Sequence, residues 1–307
     1  MDAVSERLCP ACGRPAPIGI DDFLWPPRWC CPACNFVAPV SDGIVLTAPA
    51  LADTVSGIDP AGFGFLSRVE ADHFWFATRR ALILYLVDRY FPSSRRLVEI
   101  GCGSGNVLAA LASSRRWQRV AGTDLHPSGL SLARGKLSPS IELLQLDARH
   151  VPFRSAFDLI GAFDVLEHIV EDEFVLQGFA AALENGGGLI VTVPQHPALW
   201  SSSDDVAYHV RRYRRGEVEQ KVARAGFQVL FSSSFTALLL PLMWANRLLT
   251  KRAVQTDDAV AAARQEFALS PRLNAILGSV NRIEVAMTAK GMRWPFGGSR
   301  VVCARKR

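Results

Sequence analysis

The 307-residue chain has no uninterrupted apolar run near the ~18 to 20 residues that a membrane-spanning helix needs. Its start lacks the basic-then-apolar pattern of a secretory signal, so the expectation is a cytoplasmic protein. No internal repeat and no low-complexity tract appears, which argues against solenoid and tail-like architectures. Acidic residues thin out toward the C-terminus. From Phe235 to Arg307 there are twelve Lys or Arg against four Asp or Glu, a local net of +8 beside −3 for the remainder. Such a basic segment suits an anionic partner (nucleic acid, lipid headgroups or a phosphorylated substrate), and it equally suits a merely solvated face. With 49% hydrophobic residues, the chain can bury a core sufficient for one α/β domain and an accessory unit.

Cysteine is present in a pattern. Cys9-Pro-Ala-Cys12 and Cys31-Pro-Ala-Cys34 form two Cys-x-x-Cys knuckles separated by eighteen residues. In a chain expected to stay in a reducing compartment, this spacing points to four thiolates around a structural zinc rather than to disulfides. Cys30 is out of register with the repeat, and Cys102 and Cys303 read as isolated small core residues. Residues 1–50 are therefore taken as a zinc ribbon. The Gly- and Pro-containing stretch that follows marks 51–70 as a linker.

In "EADHFWFATRRALILYLVDRYF", Leu82, Leu86, Val87 and Tyr90 recur at helical spacing. Strands and helices then alternate. Strands are expected at 96–101, 119–124, 141–147, 157–163, 187–193 and 227–233, with a last one in "SRVVCARKR"; helices are expected at 105–114, 128–136, 171–184 and 215–225. Alternation of this kind predicts an α/β fold with a doubly wound, seven-stranded, mainly parallel sheet over residues 71–307. Residues 235–298 form a helical insert before the last strand. In it, Leu273, Ile276, Leu277, Val280, Ile283 and Met287 repeat every three or four positions beside Arg272 and Arg282. That pattern fits a cap over the site, a dimer surface or a helix lying on an anionic membrane, so peripheral membrane contact through 235–290 is one expectation.

The turn "VEIGCGSG" joins the first of these strands to a helix through Gly101, Gly103 and Gly105. A dinucleotide fingerprint reads G-x-G-x-x-G, and this turn is one residue off that spacing. Glu99 also sets a carboxylate at the mouth of the loop, where a pyrophosphate is repelled and a cation welcomed. S-adenosylmethionine, with a sulfonium, an ammonium and no phosphate, fits better than NAD. On these residues the chain resembles the class I S-adenosylmethionine-dependent methyltransferases, over roughly residues 70–234 and the last strand, which implies a Rossmann-like fold. The resemblance implies that Asp124, at the end of "VAGTDL" beside Leu125, receives the ribose hydroxyls. It places Asp147 and Ala148, at the strand end within "LLQLDARHVPF", at the adenine, and Phe163 and Asp164 by the methyl donor. "HFWF" ahead of the loop and "H-x-R-R-Y" after the fifth strand resemble bacterial members, implying that Arg79 pairs the cofactor's carboxylate. The segment "APVSDGIVLTAP" resembles the end of small zinc-ribbon proteins that partner methyltransferases, here fused to the enzyme.

Methyl transfer to a neutral hydroxyl or amine requires loss of a proton, for which His209 is the candidate base, with Asp204 or Asp205 orienting it and His168 as a pocket wall. Arg211, Arg212, Arg214 and Arg215 around Tyr213 suggest an anionic substrate. The expected acceptor is a small, glycan or lipid-linked molecule methylated at O or N. RNA is a second option, although the Asn/Asp-Pro-Pro-aromatic loop used for flipped bases is missing. A non-catalytic, cofactor-binding scaffold that activates a partner is a third.

Overall fold

Alternating runs rich in Val, Ile and Leu, each closed by a turn, become the strands of one sheet because both of its faces are covered by helices. The computed structural model describes residues 4–19, 21–52, 60–253 and 267–307. The sheet strands are β5 (Arg96–Ile100), β6 (Arg119–Asp124), β7 (Glu142–Gln145), β9 (Phe157–Phe163), β10 (Leu183–Pro194), β11 (Phe227–Phe235) and β12 (Ser299–Lys306). These are the seven expected strands. Between them run helices α3 (Asn106–Ser114), α4 (Pro127–Arg134), α5 (Asp172–Ala182), α6 (Ser202–Val206) and α7 (Glu217–Arg224). Strands β5, β6, β7, β9 and β10 pair in parallel, while β12 enters antiparallel between β10 and β11.

The sheet has nine strands rather than seven. Strands β3 (Val40–Ser41) and β4 (Ile44–Leu46) extend it beyond β7, with β4 parallel to β7. The extra pair comes from the end of the cysteine-rich segment, which covers a sheet edge that would otherwise expose unpaired backbone groups. Strands β1 (Glu6–Leu8) and β2 (Pro15–Pro17) form a separate sheet with β8 (Phe153–Arg154). Glu142 accepts hydrogen bonds from the backbone of Leu24 and Trp25, so the cysteine-rich segment is fastened at several points.

The linker expected at 51–70 needs correction. Positions 53–59 lie outside the described residues, but from residue 60 the chain is helix α1 (Pro60–Asp72), followed by α2 (Phe74–Tyr90). Glycines 62 and 64 weaken the intrinsic helix preference, and the packing of Phe63, 3% exposed, overrides it. The insert supplies α8 (Leu240–Ala253) and α9 (Pro271–Ala289), with residues 254–266 outside the described set.

Helix α9 turns only part of its apolar repeat inward, with Leu277, Val280 and Met287 half-buried. Its inward stripe carries Asn281, Glu284 and Thr288, whereas Ile276 and Ile283 are 61% and 57% exposed. Specific polar contacts decide the orientation. Asn274 accepts from the backbone of Phe74 and donates to that of Asp72, and Glu284 accepts from the backbone of Leu238. Helix α9 thus clamps α2 and the start of the insert.

Candidate active site

At the carboxyl ends of the parallel strands lies a cavity of about 970 Å³, the upper range of small-molecule pockets. Its floor is the glycine turn between β5 and α3. Gly101 has φ +72°, and a Cβ there would stand 2.4 Å from Val165 Cγ2. Gly105, φ +77°, opens α3 and would meet Ala133 Cβ at 2.9 Å. Only glycine satisfies both the left-handed backbone and the close approach. Gly103 donates its N–H to Asp124 at 2.9 Å, and His126 donates to the other oxygen of the same carboxylate at 2.9 Å. Asp124 therefore fixes the turn as well as facing the cavity.

Glu99, Leu125, Ala148 and Phe163 all line this space. Glu99 is 2% exposed and its Oε2 has no hydrogen-bond partner. Burial holds its carboxyl well above the ordinary range, against the pull of Arg79. A cationic ligand entering there relieves that penalty, which fits a cofactor bearing an ammonium and a sulfonium. Asp147 also lines the cavity, with both carboxylate oxygens engaged by Arg149. Burial raises its pKa, but the Arg149 contacts outweigh this and leave it below the usual value.

Arg79 is no surface residue. It is buried, forms an ion pair with Asp164, and its guanidinium stacks 4.6 Å from the Trp75 ring centroid. Asp164, at φ +58° just after β9, also accepts from Thr192. Arg79 thus sits at the cavity wall with one side already paired. Of the four clustered arginines, Arg211 bonds Asp172 and Arg212 bonds Asp204, both buried acids, while Arg215 stacks on Phe296. Arg211 and Arg212 are thus turned inward, and the case for an anionic acceptor built on them weakens.

His209 also lines the cavity. Its Nδ1 meets Asp204 Oδ1 at 2.8 Å, while Nε2 faces Glu167 Oε1 at 4.0 Å. Burial pushes Asp204 up, but its bonds to His209 and Arg212 dominate and bring it to about 2. Sequence reasoning named Asp204 and His168 but missed Glu167. This residue is wholly buried, and burial raises its pKa to about 8. His168, its neighbour on the short turn Leu166–His168, is driven down to about 3 by burial and then by His209. Glu70 was missed as well; it lines the cavity from α1 and accepts from Ser104 of the glycine turn. The signal for Glu167 was its place beside His168 in "DVLEHI"; the signal for Glu70 was hidden by the linker assignment.

Residues 98–191 match the sequence family described as a methyltransferase domain. Together with the strand order and the glycine turn, this match supports a class I S-adenosylmethionine-dependent methyltransferase domain over these residues. Trans-aconitate 2-methyltransferase of Variovorax paradoxus is 33% identical over 34% of this chain and 40% of its own length. A ubiquinone biosynthesis O-methyltransferase of Bradyrhizobium diazoefficiens is 33% identical over 32% and 39%. The chain thus spans well under two thirds of these relatives. Among solved structures, Haemonchus contortus phosphoethanolamine N-methyltransferase 2 with S-adenosyl-L-methionine shares the fold at TM-score 0.52 and 18% identity, covering 81% of this chain and 57% of that one. A chain from the complex of a Haloferax volcanii methyltransferase activator with a methyltransferase does so at TM-score 0.56 and 18% identity, covering 82% and 99%.

The cysteine cluster is separate from the cavity: none of its described residues is in the lining. The Cys9, Cys12, Cys31 and Cys34 sulfurs all lie within 4.8 Å of one another, with Cys9 and Cys34 at 3.5 Å and Cys12 and Cys31 at 3.7 Å. Four Zn–S bonds of ~2.3 Å in a tetrahedron give edges of ~3.8 Å, so the arrangement suits zinc.

Proposed function

We propose that the protein is an S-adenosylmethionine-dependent methyltransferase acting on an oxygen or nitrogen of a small, apolar or lipid-linked acceptor. The observation that carries this reading is that one cavity holds both a buried carboxylate with an unpartnered oxygen, Glu99, and the Asp204–His209 pair. Glu99 and Asp124 hold the donor's charged and hydroxyl groups, and Arg79, Asp147, Leu125, Ala148 and Phe163 complete its pocket. The donor supplies an electrophilic methyl on sulfur. His209, held by Asp204, activates the acceptor, a contribution of ~10² to 10⁴ in rate.

An apolar acceptor is favoured by the insert. Met243 and Phe267 line the cavity, and Leu242 and Trp244, which flank Met243 in α8, are exposed. Among the described residues no helix is long and apolar enough to cross a membrane. Zinc at Cys9, Cys12, Cys31 and Cys34 has a structural role in this reading, as an internal counterpart of an activator subunit.

Calorimetric titration with S-adenosylmethionine, followed by labelled-methyl uptake into lipid and RNA extracts, tests the proposal. Asp124→Ala should weaken donor binding. His209→Ala should lower turnover by at least a hundredfold and leave donor affinity unchanged; equal loss of both removes His209 from the chemistry.

A further inference from the structure

Neither carboxylate oxygen of Glu167 has a hydrogen-bond partner, although the residue is 0% exposed. A carboxylate so placed is strongly unfavourable unless something satisfies it. Around it, one Glu167 oxygen and one ring nitrogen each from His168 and His209 lie within 4.8 Å of one another. His168 Nδ1 is likewise buried without a partner. His209 is aimed from behind: Asp204 holds its Nδ1, and Asp204 is itself fixed by the Ser201 backbone and hydroxyl. A carboxylate on the outer nitrogen of an imidazole is the usual means of presenting the inner nitrogen to a cation. The two loops are also tied by a 2.8 Å bond from Val210 N–H to the Glu167 carbonyl.

We propose that Glu167, His168 and His209 form a divalent-cation site in the wall of the acceptor pocket. Two imidazoles and one carboxylate suit a first-row divalent ion. Donors ~2.1 Å from a common ion stand roughly 3.0 to 3.5 Å apart, so the 4.0 Å between His209 Nε2 and Glu167 Oε1 must close by roughly 0.5 to 1 Å. All three residues line the cavity, which leaves the remaining coordination positions open to an acceptor hydroxyl. The cation lowers that hydroxyl's pKa, and its proton passes to water. The oxygen then forms a bond to the donor methyl as the methyl–sulfur bond breaks, the electron pair staying on sulfur and cancelling its charge. This site deepens the reading of His209 as the activating residue, turning direct proton capture into coordination, and it rests on that reading.

Titration of full-length, zinc-loaded protein with Co²⁺, followed by visible absorption, tests the site without any acceptor. The expected result is saturable d–d absorption lacking sulfur-to-cobalt charge transfer. Glu167→Gln and His209→Ala should each abolish it, and Asp204→Asn should weaken Co²⁺ binding by ~10- to 100-fold. Each variant must keep the wild-type S-adenosylmethionine affinity and melting profile to count. Absence of the absorption in wild type, its presence only with thiolate charge transfer, or unchanged binding in both ligand variants overturns the proposal. Methyl uptake without Co²⁺ binding would leave the enzyme reading standing, and Co²⁺ binding without methyl uptake would do the reverse.

Discussion

At Gly101, backbone and packing impose one requirement together. Any larger residue there meets a left-handed φ of +72° and the Val165 side chain at 2.4 Å. The backbone part alone costs about 1–2 kcal/mol for alanine. Gly101→Ala should lower the melting temperature and weaken S-adenosylmethionine binding, and adding Val165→Ala should recover part of the loss by removing the contact. A wild-type melting curve for the single variant would refute the close approach. A second single-residue effect lies outside the cavity at Glu219 on α7. Burial pushes its carboxyl up, but the Ser232 hydroxyl and Arg300, whose Nε stands at 2.7 Å, hold the carboxyl below its ordinary range. A depressed folded-state pKa stabilises the protein above the unfolded value of about 4.3 and ceases to do so as pH falls through the folded value. Melting temperature measured from pH 6 downward should therefore drop on the acid side of about pH 4.5, and Glu219→Gln should flatten that slope.

At the scale of the element, period and turn chemistry made most of the sheet readable. Each strand carries its own aliphatic run, and the glycine turn announces where the ligand end of the sheet lies. What was hidden depends on partners distant in sequence. Strand β4 is three residues, Ile44–Leu46, and counts as a strand because β3 and the distant β7 both pair with it. Helix α1 has two glycines in its first turns and is held by Phe63 against the turn at Gly103 and helix α4 at Gly129. Helix α9 shows best how a period can mislead: its apolar repeat was legible, but its direction is set by Asn274, Asn281 and Glu284, each bonding to a segment tens of residues or more away. In the site the same division holds. Glu99, Asp124 and His209 stand at strand ends or in loops where chemistry is expected, whereas Glu167 matters through burial and proximity, which one sequence does not display.

Across the whole molecule, the ribbon and the cavity are joined by a short chain of contacts. Strand β4 pairs with β7, whose last residue, Gln145, exchanges hydrogen bonds with both backbone groups of Ala48, at 3.0 and 2.8 Å. The same Gln145 amide donates to the carbonyl of Leu125 at 3.1 Å, next to the carboxylate that holds the glycine turn. On the other flank, Arg119 at the start of β6 donates to the carbonyls of Gly19 and Asp22 inside the ribbon. Loosening the cysteine-rich segment therefore removes supports from β7 and from both ends of β6. Because a change of 1 kcal/mol moves the midpoint of a domain of this size by ~2–4 °C, loss of a structural metal should be visible as a fall of roughly 5 °C or more. Removal of zinc by a chelator, or Cys31→Ser, should produce that fall and also weaken S-adenosylmethionine binding, although no described ribbon residue lines the cavity. Gln145→Ala separates the two effects. If the coupling runs through this side chain, the variant should lose donor affinity while retaining its zinc, and a chelator should then weaken donor binding much less than in the wild type. Unchanged donor affinity in zinc-depleted protein would mean that the ribbon braces the sheet edge without reaching the cofactor loop.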